Sequence, residues 1–270
     1  MAYVIDGKDC MIAEWFLLAI AYAFVTLRLY TRTVCFRTKL QWSEILLIAS
    51  AFDALGLIIC DTLTFQMGVM DNYEASERPS KVSFASNYFY DVGLGLPKLS
   101  LLAFYLELPN VKRGMRMTLC VVAVFVVACY LTSLFDDTFF CGRDVAVQWS
   151  QAAGACSVFY AREPFILNYA LGLSCYLVTY AISVSLLCKG TLKASAGVKG
   201  ALLVGSLPII SGTVRFICLN VETGQDNLVY ILSMLELALC IVVVSLPGLE
   251  PLLKDSRSDR STSYDTSYVC

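Results

Sequence analysis

The chain of 270 residues contains no histidine, which excludes every mechanism that uses imidazole as a base, a switch or a metal ligand. Charge is scarce as well: Asp, Glu, Lys and Arg make up 16% of the residues, and hydrophobic residues make up 58%. With a mean hydropathy of +0.68, the chain has too few polar groups to cover a surface in water. Composition therefore excludes a soluble globular enzyme and a disordered protein. The net charge of −2 and the lack of a basic block argue against nucleic acid as a partner.

Long hydrophobic runs dominate the sequence instead. A helix that crosses a lipid bilayer needs about 20 mostly apolar residues. Seven stretches qualify, at residues 11–29, 44–66, 82–108, 117–135, 164–188, 200–220 and 228–246. We predict an all-α polytopic membrane domain of seven helices over residues 1–253, and a disordered cytosolic tail over 254–270. The first stretch has neither a basic segment before it nor an A-x-A site, so we interpret it as helix one and not as a signal peptide.

The positions of Lys and Arg predict the orientation of these helices. The loops after helices one, three and five, together with the tail, carry 13 of these residues, and the opposite set of segments carries 5. Because positive residues accumulate in cytoplasmic segments, the N-terminus is predicted to be outside or in a lumen and the tail to be in the cytosol. The endoplasmic reticulum and the plasma membrane both agree with this orientation.

The 12 cysteines form no CxxC motif and have no histidine to complete a ligand set, so no metal site and no cofactor is expected. Most of them lie in the hydrophobic stretches, where a thiol packs as a small apolar group. Cys141 and Cys156 lie in the longest outer loop, on the oxidising side of the membrane. We predict that they form a disulfide, which holds this loop as a lid over the bundle. Two free thiols are the alternative.

Several motifs follow one another in a recognisable order. They are RLYTR at 28–32, KLSLLAFYLEL at 98–108, the loop with Cys141, Trp149 and Cys156, Asn168, Lys199 with Arg215, and LSMLELALCIVVVSLPGLEPLL at 232–253. Together they resemble the fungal rhodopsin-like heptahelical membrane proteins, over nearly the whole chain. The resemblance implies seven helices, and either a receptor-like role or a role in secondary metabolism. Retinal attaches through a lysine of the last helix, and residues 228–246 contain none, so bound retinal is not expected.

Ionisable residues at bilayer depth cost roughly 2.5–3.5 kcal/mol each and often mark function. Inside the predicted spans lie the carboxyls Asp53, Asp61, Asp91 and Glu236, and the cations Lys98 and Arg215. Helix geometry places Asp61, Asp91, Arg215 and Glu236 in the outer half, where we expect them to line one cavity. With four acids and two bases, at least two carboxyls lack a basic partner, and such a carboxyl keeps its proton in an apolar medium. The alternative is structural: Asp91 or Asp61 pairs with Arg215, and Glu236 joins a polar network.

Further polar and aromatic residues are predicted to bind a ligand beside these acids. Asn87, Asp91 and Lys98 share one face of helix three. The rings near this level can stabilise a carbocation, although membrane belts and core packing explain most of them. The predicted ligand-binding set is Asn87, Tyr88, Lys98, Trp149, Asn168 and Arg215.

Two functions agree with these features. The first is a membrane-bound terpene cyclase of fungal secondary metabolism, which protonates and cyclises a prenylated, lipid-soluble substrate. Small heptahelical cyclases of this type are known from meroterpenoid pathways. Asp91 or Glu236 is then the catalytic proton donor, with Asp53 or Asp61 in support. The second function is a receptor-like or accessory membrane protein that binds a small hydrophobic ligand.

Overall fold

The computed structural model describes residues 5–35, 37, 39–71, 76–109, 111–150, 156–158, 161–189, 202–220 and 226–258. Within these ranges the chain is all-helical and contains no strand. The seven α-helices are α1 (Gly7–Tyr30), α2 (Trp42–Gln66), α3 (Glu77–Glu107), α4 (Arg113–Phe139), α5 (Arg162–Cys188), α6 (Leu207–Asn220) and α7 (Asp226–Ser258). A π-helical turn, Thr31–Cys35, continues α1, and a short 3₁₀ helix, Val145–Trp149, lies between α4 and α5.

Six of these helices are long and apolar enough to cross a membrane, and α3 is the exception. Hydrogen bonds show that α3 crosses as well. Ser43 at the start of α2 donates to Glu107 at the end of α3, at 2.8 Å between Oγ and Oε2. Asn87 in the first half of α3 donates to Asp137 near the end of α4. Because α3 is antiparallel to two spanning neighbours, it connects opposite ends of the bundle, and the predicted seven-helix membrane fold is confirmed.

The outer surface of the bundle is apolar, as contact with lipid requires. Phe16, Phe52 and Val124 are 65%, 68% and 70% exposed, respectively. Side chains this large would be costly to expose to water, and lipid tails solvate them without penalty. These exposed positions therefore form the lipid-facing side of α1, α2 and α4.

Helix α7 is the central helix. It packs against α1, α2, α3 and α6. Met234, Leu237 and Ile241 on α7 are fully buried. A helix that is covered on most sides in this way carries the core of the bundle, so residues on α7 are held in fixed positions.

Helix α7 continues twelve residues beyond the predicted end at 246, through Pro247 and Pro251. A proline removes one backbone donor and disrupts the preceding turn. The donor that Pro247 lacks would bond to the carbonyl of Val243. Arg28 of α1 donates to the next carbonyl, that of Val244, at 2.5 Å, and so links α1 to this turn. The helix also includes residues 254–258 of the predicted tail, and residues 259–270 lie outside the described part of the chain.

Arg28 belongs to a buried ionic cluster at one end of the bundle. Its guanidinium lies 3.2 Å from Glu44 of α2, and neither side chain is more than 1% exposed. Arg32 contributes a second cation, 3.5 Å from the same carboxylate oxygen. Glu44 also accepts a hydrogen bond from the backbone N–H of Gln41 and so caps the start of α2. This cluster, the Arg28–Glu44 cluster, joins α1, α2 and α7.

The disulfide lies at the opposite end of the bundle. Cys141 and Cys156 are bonded, as the sequence predicts, with 5.6 Å between their Cα atoms. The 3₁₀ helix between them packs on α3. Gln148 in this helix is buried and donates to the backbone carbonyls of Asp137 and Thr138 at the end of α4. The described part of the loop is thereby held against the ends of α3 and α4.

Replacing Glu44 with Gln is expected to lower the free energy of unfolding by about 3 kcal/mol, because the variant leaves the buried Arg28 charge without its strongest partner. Thermal unfolding of the detergent-purified protein measures the effect. The matched control is Glu77→Gln, since Glu77 forms only an exposed ion pair with Lys81. A Glu44→Gln variant that melts like the Glu77→Gln control contradicts the assignment.

Replacing both Cys141 and Cys156 with Ser is expected to lower the stability by about 2–4 kcal/mol, because the disulfide closes a loop with a sequence separation of 15 residues. The control is Cys120→Ser, a substitution of an exposed thiol on α4. Thermal unfolding without reductant compares the variants. Equal melting temperatures for the double variant and the control would show that the loop closure contributes nothing.

Candidate functional site

A cavity lies among α3, α4, α5, α6 and α7, in the half of the bundle nearer the disulfide, and the empty space in it and at its opening is about 660 Å³. We call it the acid cavity, because Asp91 of α3 and Glu236 of α7 both line it. Three other predicted residues, Asn87, Asn168 and Arg215, line it as well. The structure thus brings together five of the ten residues that the sequence predicts as catalytic or ligand-binding.

Asp91 is buried from solvent, and its side chain lines the cavity. Its Oδ2 atom has no hydrogen-bond partner among the described residues. Its carboxyl group adjoins that of Asp137 on α4, within hydrogen-bonding reach. Two carboxyl groups can hydrogen bond to each other only when one of them carries a proton. The Asp91–Asp137 pair is therefore suited to holding a proton at the wall of the cavity.

Asp137 is a candidate site residue that the sequence analysis missed. It is fully buried and accepts hydrogen bonds from Asn87, at 2.7 Å, and from Asn168, at 2.8 Å. The predicted span of α4 ended at 135, which placed Asp137 in a loop, whereas the helix continues to Phe139. The signal was the FDDTFF sequence, in which a pair of acids is followed by two further aromatic residues.

Glu236 is held by two tyrosines. The hydroxyl of Tyr90 donates to its Oε2 atom at 2.5 Å, and the hydroxyl of Tyr176 donates to its Oε1 atom at 2.9 Å. Gly212 of α6 permits this position, because a Cβ atom at that residue would lie 2.8 Å from Glu236 Oε1. Both carboxylate oxygens of Glu236 thus accept a hydrogen bond from a tyrosine, and their positions at the cavity wall are fixed.

Arg215 lies close to these groups without pairing to an acid. Its Nε atom donates to Ser233 at 2.8 Å, and its guanidinium lies 4.1 Å from the centre of the Tyr90 ring. Among the described residues, no carboxylate lies within 4.0 Å of it. The expected alternative, in which Arg215 forms an ion pair with Asp91 or Asp61, is not what the structure contains.

Asp53 and Asp61 do not line the acid cavity, so the expectation that Asp61 shares a cavity with Asp91 was wrong. Asp61 lies between α2 and α3, where Ser86 donates to it at 3.0 Å, and it interacts electrostatically with Glu14 of α1. The Asp53 carboxylate lies beside Gly93 of α3, on another side of that helix. A helix places successive polar residues on different faces, and only the packing decides which neighbour each face meets.

Three residues predicted to bind a ligand lie elsewhere. Tyr88 and Trp149 do not line the acid cavity. The Tyr88 hydroxyl hydrogen bonds to Thr138, and Trp149 packs against Phe84 in an edge-on contact. Lys98 lines a second cavity, deeper in the bundle.

Aromatic rings form much of the rest of the acid cavity. Phe165 and Tyr169 of α5 stack on Phe216 of α6, with ring centres 5.2 Å and 3.9 Å apart. Tyr130 and Tyr176 line the opposite part. The cavity therefore combines two neighbouring carboxyl groups, a third carboxyl group that accepts two hydrogen bonds, and several aromatic rings. Such a combination can donate a proton, stabilise a cation and accept a proton.

Comparison with known proteins agrees with the helices and motifs. The fungal rhodopsin domain matches residues 27–255, from the end of α1 to the end of α7. No curated protein matches the chain. The family match covers well over half of the sequence and includes all residues of the acid cavity. The chain therefore belongs to the fungal rhodopsin domain family.

Proposed function

We propose that the protein is a membrane-bound cyclase that protonates and cyclises a prenylated, lipid-soluble substrate in the acid cavity. The observation that carries the proposal is the unpartnered Oδ2 atom of buried Asp91, beside the carboxyl group of Asp137. A proton shared by two carboxyls in an apolar site is available for transfer to a ligand. Such a transfer is the first step of acid-initiated cyclisation.

In the proposed reaction, Asp91 donates its proton to one carbon of a terminal alkene, and the alkene π electrons form the new C–H bond. The neighbouring carbon becomes a carbocation. Asn87 and Asn168 hold Asp137 in place, and Asp137 in turn keeps Asp91 correctly placed. We therefore assign Asp91 as the catalytic acid and Asp137 as a positioning residue.

The cation then reacts with further double bonds of the substrate, and each ring closure moves the positive charge to another carbon. Faces of Tyr90, Tyr130 and Tyr169 stabilise this charge through cation–π attraction. The reaction ends when Glu236 removes a proton from a carbon next to the cation and a double bond forms. The product is an isomer of the substrate, because one proton is gained and one is lost.

Orientation and location belong to the same proposal. We place the disulfide end, and with it the acid cavity, on the outer or lumenal side, because disulfides form in oxidising compartments. The excess of Lys and Arg at the opposite end supports this orientation. The endoplasmic reticulum and the plasma membrane both have an oxidising compartment on that side. A prenylated substrate reaches the cavity from the bilayer.

A second candidate function is ligand binding without turnover, as in a receptor-like or accessory protein. Arg215 favours it, because this cation lines the cavity without an ion pair to any described residue and can bind an acceptor group of a ligand. Under this proposal Asp91 and Glu236 only orient the ligand.

Replacing Asp91 with Asn is expected to reduce cyclisation at least about 100-fold, because the amide retains the hydrogen bond to Asp137 but cannot donate a proton to an alkene. Microsomes that contain the protein are incubated with a farnesylated phenol, and the isomer of unchanged mass is quantified by chromatography. The control is Asp53→Asn, the same chemical change outside the cavity, for which we expect activity within about twofold of the original chain. Equal activity of both variants would contradict the assignment of Asp91.

Cyclisation in D₂O is expected to place one deuterium on carbon in the product, because the proton on Asp91 exchanges with solvent before it is transferred. Mass spectrometry of the product detects a gain of one mass unit that back-exchange in H₂O does not remove. If farnesylated and geranylgeranylated phenols bind the purified protein but are recovered unchanged and unlabelled, ligand binding without turnover replaces the cyclase proposal.

A further inference from the structure

A second cavity lies next to the acid cavity, toward the Arg28–Glu44 cluster, and the empty space in it and at its opening is about 750 Å³. Residues of α3, α5, α6 and α7 line it, and we call it the apolar cavity. Leu101, Pro208, Val243 and Pro247 form much of its wall. Two of its hydroxyl groups bond within the wall: Tyr105 donates to Ser183 at 2.9 Å, and Ser183 donates to the carbonyl of Thr179 at 2.9 Å. The wall is therefore built to contact a hydrocarbon.

Among the described residues that line this cavity, Lys98 is the only charged one. It is 4% exposed. Its Nζ atom donates to the carbonyl of Leu94 at 2.8 Å and to the Tyr130 hydroxyl at 2.7 Å, and it lies 3.6 Å from the centre of the Tyr176 ring. All three partners are formally neutral. They stabilise an ammonium ion at this position without neutralising its charge.

No carboxylate of the described residues lies within 4.0 Å of the Lys98 ammonium. Glu236 and Asp91 act on it only at longer range. A buried charge in an apolar environment is costly until an opposite charge is brought into contact with it. The described residues therefore provide no counter-ion in contact with Lys98.

We propose that the apolar cavity binds a long-chain carboxylic acid from the bilayer, with the carboxylate on Lys98 and the chain along the hydrocarbon wall. A single cation matches a single negative charge, and a charged N–H donor binds a carboxylate strongly. The apolar wall matches an anion that carries an unbranched hydrocarbon chain better than it matches a small, wholly polar anion. This site is separate from the proposed catalytic site and does not depend on it.

The route of entry also agrees with a ligand from the bilayer. Tyr180, Leu202 and Val243 line the cavity and are partly exposed at the surface of the bundle. In a membrane-spanning region that surface faces lipid. A fatty acid can therefore enter the cavity sideways, chain and carboxylate together.

The proposal is tested with tritiated palmitic acid and tritiated methyl palmitate on the full-length protein in phosphatidylcholine nanodiscs. The two probes share the chain and differ in charge. We expect the acid to bind at least about tenfold more tightly than the ester, which corresponds to one charged hydrogen bond. Lys98→Met should remove this preference, and Lys98→Arg, which keeps the charge, should retain most of it.

Two further variants locate the ligand. Val243→Trp fills the cavity and should weaken binding of both probes. Gly172→Trp changes no charge and fills only the acid cavity, so it should leave both affinities unchanged. Equal binding of acid and ester by the original chain overturns the proposal, as does an unchanged preference in Lys98→Met. Loss of acid binding in Gly172→Trp would place the ligand in the acid cavity and also overturn it. Cyclisation assays are independent of each of these outcomes.

Discussion

The structure depends on one constraint: an ionisable group inside a lipid bilayer must find its partners within the protein, because neither lipid nor water supplies them. Arg28 and Glu44 meet this constraint as an ion pair. Asp91 meets it through another carboxyl group, and Lys98 meets it through neutral oxygens and a ring. These three solutions differ in what they leave available. The ion pair is closed and structural, whereas the two carboxyl groups and the lysine have no oppositely charged partner within 4.0 Å among the described residues.

Helix α3 distributes these solutions across the bundle. One side of it faces α2, where Ser86 donates to Asp61. Another side faces α4, where Asn87 donates to Asp137. This helix is also the one whose composition is least apolar. It is stable in the membrane because it lies between α2, α4 and α7, so its polar residues meet other helices and not lipid.

The two cavities are adjacent, and the side chain of Tyr176 lines both of them. Its hydroxyl group donates to Glu236 in the acid cavity, and its ring covers the ammonium of Lys98 in the apolar cavity. The match to the fungal rhodopsin domain agrees with the helices. It says nothing about the separation of the interior into two cavities. The division gives the protein one compartment suited to proton transfer and one suited to a hydrocarbon chain.

The long apolar runs predicted the helices, because lipid demands about 20 mostly apolar residues wherever the chain crosses, although α3 is less apolar than the other six. The loop position of Cys141 and Cys156 was also sufficient to predict their bond. The partners of the buried acids were not predictable in this way. Asp61 and Asp91 lie at similar predicted depths, yet they belong to different clusters, since depth follows from position along a helix and contact follows from rotation about its axis. Sequence thus placed Asp53, Asp61, Asp91 and Glu236 in the membrane but missed Asp137, and only tertiary packing decided which of these acids meet.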